Sequence, residues 1–521
     1  MDIQVYDTTL RDGSQGEGIS FSVDDKIKIA KKLDYLGVAY IEGGWPGSNP
    51  KDLDFFRQMK DLDFKHARLA AFSSTRKPGV AVKQDGNIAS LLAAGVETAT
   101  IFGKSWDFHV VRALETSLEE NLRMVRDTIA CLKDRGLEVF FDAEHFFDGY
   151  KNNADYALEV LAAAAAAGAD CLILCDTNGG TMPWELGQII SAVQRGIKTP
   201  LGIHAHNDAG CAVANSLLAL QQGFVHLQGT MNNYGERCGN ADLCSVIPNI
   251  ELKMGKRCLP PGNLKYLTEI SHYINEIANM PSPNNQPFVG YGAFAHKGGI
   301  HVSALLKDSL TYEHINPEDV GNHRRVLVSE LSGISNLLYK ARELNLDVQS
   351  YDAETRKVIK QIKELERQGF QFEGADASLE LLLRKAFGQY EDFFQLKNLK
   401  IILEKQEDQD IISEAVIKVT AGDQTFHTAA EGDGPVNALD NSLRKALTEV
   451  YPEISDMHLN DYKVRVLDGK MGTAARVRVL VESSNQTEKW STVGVSENII
   501  EASWQAIVDS INYILMKRRL D

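Results

Sequence analysis

The chain is poor in cysteine, has no long apolar run and carries no excess of basic residues. Seven cysteines scattered over 521 residues make no disulfide framework. Cys171 and Cys175 flank LIL in an apolar run and read as buried free thiols of a core strand rather than a metal pair. No apolar run approaches the ~20 residues of a membrane span, so no membrane partner is expected. The formal net charge of −16 argues against a nucleic-acid partner, which needs a broad basic face, but leaves room for a local basic patch. There is no Walker loop and no dinucleotide fingerprint; the glycine pair in TNGGT reads as a strand-to-helix turn. The segment MDIQVYDTTLRDG lacks a basic region followed by an apolar stretch, so a secretory signal is not expected and the compartment reads as cytoplasmic.

What is present is an ordinary globular composition, 44% hydrophobic and 24% charged. The length calls for more than one domain, because single cores rarely grow past roughly 250–300 residues. Residues 1–255 alternate strand-like and helix-like segments. The strand candidates are 3–9, 38–44, 67–73, 97–103, 137–144, 171–177, 200–206 and 224–230. Glycines at 37, 95, 136, 168 and 223 end the helical patterns between them. Eight such units are the count of an α/β (β/α)8 TIM barrel. Residues 256–405 read as linker subdomains, loop-rich to about 330 and helical from about 331 to 400. Residues 406–521 read as an α+β domain with strands EAVIKVTAG (414–422), YKVRVLDG (462–469) and ARVRVLVE (475–482). It holds an internal near-repeat: GDGPVNALDNSLRKAL (432–447) resembles GVSENIIEASWQAIVDSINYIL (494–515). Such a domain suits dimerisation or small-ligand sensing; a stabilising appendage is the alternative.

In a parallel barrel the reactive groups gather where strands end. Here Arg11 and Asp12 follow strand one, Glu144 and His145 end strand five, and Asp176 and Thr177 end strand six. His204, His206, Asn207 and Asp208 end strand seven, and MNNYGERCGN, with Asn240, follows strand eight. Side chains two apart on a strand share a face, so His204 and His206 can reach one metal ion together. Asp12 and the amide oxygen of Asn240 complete a mixed N/O set that suits Mg²⁺ or Mn²⁺ and also admits Zn²⁺. An open site of this kind can chelate a 2-oxo acid and polarise its carbonyl. Arg11, beside Asp12, can stabilise the oxyanion that develops. An ion pair with Glu144 at the barrel mouth is the plainer use for Arg11, and a cap or salt bridge the plainer use for Asp208 and Glu236.

DTTLRDG, HAHND and GERCGN resemble the isopropylmalate, homocitrate and citramalate synthase family, metal-dependent acyltransferase barrels related to hydroxymethylglutaryl-CoA lyase. FAHKGGIHVSA and TYEHINPEDVG are similar to its linker subdomain, and the terminal repeat to its allosteric dimerisation domain. GISFSVDDKIKIAKKLDYLGVAYIEGGWPGSNPKD and FGKSWDFHV are most similar to the (R)-citramalate synthases within it. Ser14 departs from the family pattern after RDG.

The resemblance implies a condensation of acetyl-CoA with pyruvate and thioester hydrolysis, in isoleucine biosynthesis. It implies His301 and Glu144 as the groups that share proton removal from the thioester methyl. Tyr312 matches a tyrosine of the same subdomain as His301, and His109 and Thr177 are implied as contacts of the keto acid. It implies a homodimer, with His301 supplied by the partner, and isoleucine as an allosteric ligand at the loops GDGPVNA and GVSENII. Other readings stay open: an isopropylmalate synthase using 2-oxoisovalerate, a lyase running in the cleavage direction, and a non-catalytic amino-acid sensor.

Overall fold

The computed structural model describes residues 2–60, 62–329, 332–346, 353–405, 410–467 and 475–520. It forms two compact units, residues 1–294 with 314–324 and residues 295–313 with 325–521.

The first unit is a closed parallel barrel of eight strands in chain order. They are β1 (Gln4–Asp7), β2 (Tyr40–Gly44), β3 (Arg68–Ser74), β4 (Thr98–Lys104), β5 (Glu138–Glu144), β6 (Cys171–Asp176), β7 (Leu201–Ala205) and β8 (His226–Gly229). Every predicted strand is present, each within two residues of its expected ends. β1 pairs with β8 from Gln4↔His226 to Asp7↔Gly229, which closes the ring. The first connecting helix, Val23–Leu36, starts at a capping box in which Ser22 and Asp25 satisfy each other's backbone N–H groups. It stops at Gly37, whose φ of 96° a side chain would resist. The other four helix-stop glycines also have positive φ, from 69° to 97°.

Alternate strand residues point into the ring. Tyr6, Tyr40, Phe140, Cys171 and Ile173 fill the interior with Cys175 above them. All seven cysteines are unpaired, and Cys171 and Cys175 are buried. The stretch after residue 255 is more ordered than its proline, glycine and asparagine content predicts. Leu267–Ile277 is a helix whose Leu267, Ile270 and Ile274 join the core that surrounds the barrel. Those residues stand at i, i+3 and i+7, a short helical stripe that the flanking loop residues mask.

The second unit carries the expected repeat. One antiparallel sheet contains β11 (Phe394–Glu404), β12 (Ile412–Ala421) and β13 (Gln424–Gly432), after the two-residue strands β9 (Ala295–His296) and β10 (Arg325–Val326). The other contains β14 (His458–Val466), β15 (Val477–Ser484) and β16 (Lys489–Ser496). Each is followed by a helix, Pro435–Leu447 and Ile499–Leu520. Ala438, Leu439 and Leu443 of the first helix share a core with Ala415, Ile417 and Val419, and Ala502 and Ala506 of the second meet Val479 and Val481. The helical reading to residue 400 fails at β11, which pairs with β12 through a register shift between Leu396 and Asn398. The sheet thus begins ahead of residue 406. Residues 468–469 of the predicted strand 462–469, and residues 347–352 of the predicted helical region, lie outside the described residues. Among the described residues no helix is long and apolar enough to cross a membrane.

Candidate active site

A cavity of about 230 Å³ opens where the barrel strands end, lined by Arg11, Asp12, Glu144, Thr177, His204 and His206, among others. Asp12, His204 and His206 converge within it: each offers an atom within 4.8 Å of the others, and all three are buried. Nε2 of His204 lies 3.3 Å from Asp12 Oδ2, Nε2 of His206 lies 3.8 Å from it, and the two Nε2 atoms are 3.2 Å apart. Two imidazole nitrogens face to face beside a carboxylate make a natural cation site, because all three can turn lone pairs to one point.

The neighbours of this cluster fix its chemistry. His204 Nδ1 lies 2.9 Å from Gln228 Oε1, and Gln228 Nε2 donates to Asp142 Oδ1 at 2.9 Å. With Gln228 accepting, Nδ1 holds the proton and Nε2 is left as the ligand atom. Burial alone would lower the pKa of His204, but its hydrogen bond to Asp12 and the Asp12 charge outweigh that and raise it. His206 is driven down to about 4 by burial and by His204 beside it. Burial works against the Asp12 carboxylate, yet Arg11 and His204 hold its pKa well below the usual carboxylate range. Asp12 is therefore an anion and His206 a neutral imidazole at neutral pH, and His204 becomes a ligand when a cation takes the place of the Nε2 proton that Asp12 favours.

Asn240 reaches the cluster because its segment runs alongside β7: His206 and Asn240 form a backbone bridge, and the Ala241 N–H donates to the Ala205 carbonyl at 2.9 Å. Its Nδ2 donates to Asp12 Oδ2 at 2.9 Å, while its Oδ1 is buried without a hydrogen-bond partner.

Arg11 is held from below. Its Nε meets Glu42 Oε2 at 2.6 Å, its Nη1 lies 3.6 Å from Asp12, and its guanidinium stacks 3.8 Å over the Phe72 ring. Glu42 is fully buried and also accepts from the Tyr6 hydroxyl at 2.7 Å and the Thr8 hydroxyl at 2.5 Å. The partner of Arg11 is thus Glu42, and Glu144 instead pairs with Lys104. The wall against Arg11 is aromatic: Phe72 and Phe102 stack at 5.1 Å, and Trp45 stands edge-on to both. The Trp45 indole N–H is buried without a partner.

Thr177 lines the cavity, and its hydroxyl accepts from the His145 backbone N–H at 2.9 Å. His109 is not among the lining side chains; it stacks on Trp106 at 5.0 Å and against His145 at 4.2 Å. Asp208 takes two hydrogen bonds from Arg237, at 2.8 and 3.0 Å, and Asp176 accepts from the Thr181 N–H and hydroxyl; both read as loop scaffolding. Ser14 donates to the Arg11 carbonyl at 2.6 Å. His145, Asn232, Asn233 and Arg237 have φ of 55–59°, so backbone strain collects on the loops after β5 and β8. His301 and Tyr312 belong to the second unit, where their rings stack at 4.2 Å.

Sequence reasoning passed over Glu42, Trp45, Phe72, Phe102, Asp142 and Gln228. Burial pushes Asp142 up to about 7, despite the lowering effect of His204, so this cavity carboxyl can hold a proton near neutrality. A signal existed for two of them: a glutamate inside the apolar strand VAYIEGG, and an aspartate two residues before Glu144 on the same strand face.

A profile of the HMGL-like family matches residues 2–274, one of the homocitrate synthase post-HMGL domain matches 288–369, and one of the LeuA allosteric (dimerisation) domain matches 373–515. The chain is 55% identical to the (R)-citramalate synthase of Geobacter sulfurreducens, over 99% of this chain and 98% of that one. It is 53% identical to the (R)-citramalate synthase of Aquifex aeolicus, with the same coverage of 99% and 98%. Among solved structures, the HMG-CoA lyase of Bacillus subtilis is similar at 20% identity and a TM-score of 0.47, covering 54% of this chain and 95% of its own.

Proposed function

This chain belongs to the HMGL-like family and stands among its (R)-citramalate synthases, and from that premise we propose that it condenses acetyl-CoA with pyruvate and water to give (R)-citramalate and CoA. It is a condensing acyltransferase, and its expected place is in cytoplasmic isoleucine biosynthesis. The observation that carries the reading is the convergence of Asp12, His204 and His206 on one point of a cavity that Arg11 also lines.

Those three residues fit a divalent cation, Mg²⁺ or Mn²⁺ before Zn²⁺ because the set includes a hard carboxylate. Asn240 fits as a fourth ligand when its amide is turned end for end, which brings Oδ1 to the place beside Asp12 that Nδ2 holds. When bound, the ion supplies Lewis-acid polarisation of the acceptor's keto group. Arg11 spends Nε on Glu42 and keeps its Nη donors for the oxygen where negative charge grows. Thr177, with His109 behind the rim, orients the acceptor. The Trp45, Phe72 and Phe102 wall is where the alkyl group of the acceptor would pack, so these rings set acceptor size, with pyruvate proposed over 2-oxoisovalerate.

Proton removal from the thioester methyl falls to Glu144 and His301, with Tyr312 stacked on His301. His301 and Tyr312 are exposed beside Ile300 and Leu310, which are 80% and 78% exposed. Apolar surface of that kind is what a second copy covers, and it supports a homodimer in which His301 serves the partner's barrel. Isoleucine is the proposed feedback ligand, at the loops GDGPVNA and GVSENII. Deletion of the terminal repeat should abolish inhibition by isoleucine; because β11 is part of the first sheet, the cut belongs before Phe394 rather than near 410. The test of the activity itself mixes purified protein with acetyl-CoA, Mn²⁺ and a panel of 2-oxo acids and follows free thiol. Pyruvate should give the highest kcat/KM; no CoA release with any of them would reject the reading.

A further inference from the structure

A lysine and an aspartate of the barrel form a buried ion pair that no step of the proposed reaction uses. Lys26, in the helix Val23–Leu36, and Asp52, in the helix Pro50–Met59, are 3% and 5% exposed, and Lys26 Nζ meets Asp52 Oδ1 at 2.5 Å. Apolar residues of the same volume would hold two helices together as well or better, because both charges lose their hydration. The pair calls for a use beyond stability, and its remaining bonds point to one place. Lys26 also donates to the Gly43 carbonyl at 3.1 Å, and Asp52 Oδ2 accepts the Trp45 backbone N–H at 2.8 Å.

Both bonds end on the turn that closes β2. The β2–β3 register shifts between Glu42 and Gly44, so Gly43 is an extra residue, a bulge that re-aims the chain. Glu42 stays under Arg11, and Trp45 reaches the cavity wall. Gly44 has a φ of 148°, and a Cβ there would lie 2.3 Å from the Asp52 carboxyl carbon, so the carboxylate lies directly against the turn. The Trp45 carbonyl accepts from the N–H groups of Ser48 and Asn49 at 3.0 and 3.1 Å. The Trp45 backbone is thus tied on both sides. Its ring has no such tie: the indole N–H has no hydrogen-bond partner. Where the ring stands therefore follows from where the main chain is held, since the allowed rotamers depend on the backbone.

We propose that Lys26 and Asp52 are positioning residues for the acceptor pocket: by holding the Trp45 main chain they fix the indole edge-on to Phe72 and Phe102, and so limit the side chain of the 2-oxo acid that fits. The consequence for selectivity rests on the reading of the barrel mouth as an acceptor site; the placement of the ring does not.

Near-ultraviolet circular dichroism reads that placement without any assay, as each protein's spectrum minus that of the same protein carrying Trp45→Phe. Lys26→Met with Asp52→Leu removes both charges, fills their volume and leaves the Trp45 N–H without an acceptor; the Trp45 band should fall by half or more. Lys26→Met with Asp52→Asn removes the same charges but keeps an acceptor, and should retain most of the band. Gly44→Ala keeps the pair and drives a methyl into the Asp52 carboxyl; it should lose the band too, which keeps the test open if the first double variant does not melt cooperatively. In that first double variant the kcat/KM ratio for 2-oxoisovalerate over pyruvate should rise about fivefold, with the KM for acetyl-CoA within about twofold of wild type. In a Trp45→Leu background the same two substitutions should leave the ratio where Trp45→Leu alone puts it, because they act through that ring. No CoA release from the wild type would reject the condensing reading and leave the band test standing. The proposal is overturned if the band survives both Asp52→Leu with Lys26→Met and Gly44→Ala, if the two double variants lose it equally, or if the shift in selectivity persists without Trp45.

Discussion

Both units bury carboxylates, and they treat them differently. In the barrel, Glu42 is fully buried and takes hydrogen bonds from Tyr6, Thr8 and Arg11. In the terminal repeat, Asp440 is buried, accepts from Arg444 at 2.8 Å through Oδ2, and leaves Oδ1 without a hydrogen-bond partner. A saturated carboxylate is a fixed strut: it holds Arg11 in place before any ligand arrives, which is what a preorganised oxyanion donor requires. A part-satisfied carboxylate keeps capacity for something not yet bound. The barrel mouth shows the second kind too, in the facing Nε2 atoms of His204 and His206 and the orphaned Asn240 Oδ1. Struts and converging ligand atoms thus lie side by side there, and substitutions should separate them.

The largest effect is expected at a ligand atom. Asp12→Ala should lower kcat/KM about 10³-fold, the several kcal/mol that a Lewis-acid centre is worth, while far-ultraviolet circular dichroism stays unchanged. Glu42→Gln cuts the strut instead. It leaves Arg11 without its closest counter-charge, and urea unfolding should show a loss of about 3 kcal/mol; a stability equal to wild type would mean that Glu42 is no strut. Trp45→Leu touches neither class. It should shift the kcat/KM ratio for 2-oxoisovalerate over pyruvate by about tenfold, within the 1–3 kcal/mol that pocket shape commands.

One effect appears only in acid. His226, inside the ring, is fully buried with neither nitrogen bonded, and burial lowers its pKa to about 3. The unfolded chain takes up a proton on this ring below about pH 6.5, whereas the folded barrel resists until about pH 3. Folding stability should therefore fall with pH through that window, by about 1.4 kcal/mol per unit from this residue. His226→Leu should flatten that limb of the stability curve and leave the region above pH 7 unchanged.

The barrel was legible because period and punctuation agree: apolar strands, amphipathic helices and a glycine after five of the helical segments. That framework alone puts Asp12 and the His204–His206 pair at one rim, since β1 and β7 both lie next to β8. What stayed hidden depends on side-chain direction. Glu42 looks like any residue of a buried strand until β2 turns it under Arg11, and Trp45 is one aromatic in a glycine turn until the barrel closes. β11 was missed because its register shift breaks the two-residue alternation, and β13 because QTFHTAAEG buries little of either face. The ligand atoms could be named from spacing; the groups that hold and tune them could not.

The most direct measurement strips the protein with EDTA and titrates Mn²⁺ back, following CoA release and bound metal together. Activity should vanish on stripping and return with one ion per chain, and His204→Ala should lose both the ion and the activity. Full turnover after exhaustive chelation, or stoichiometric metal binding that survives His204→Ala and Asp12→Ala, would contradict the cation site at the barrel mouth.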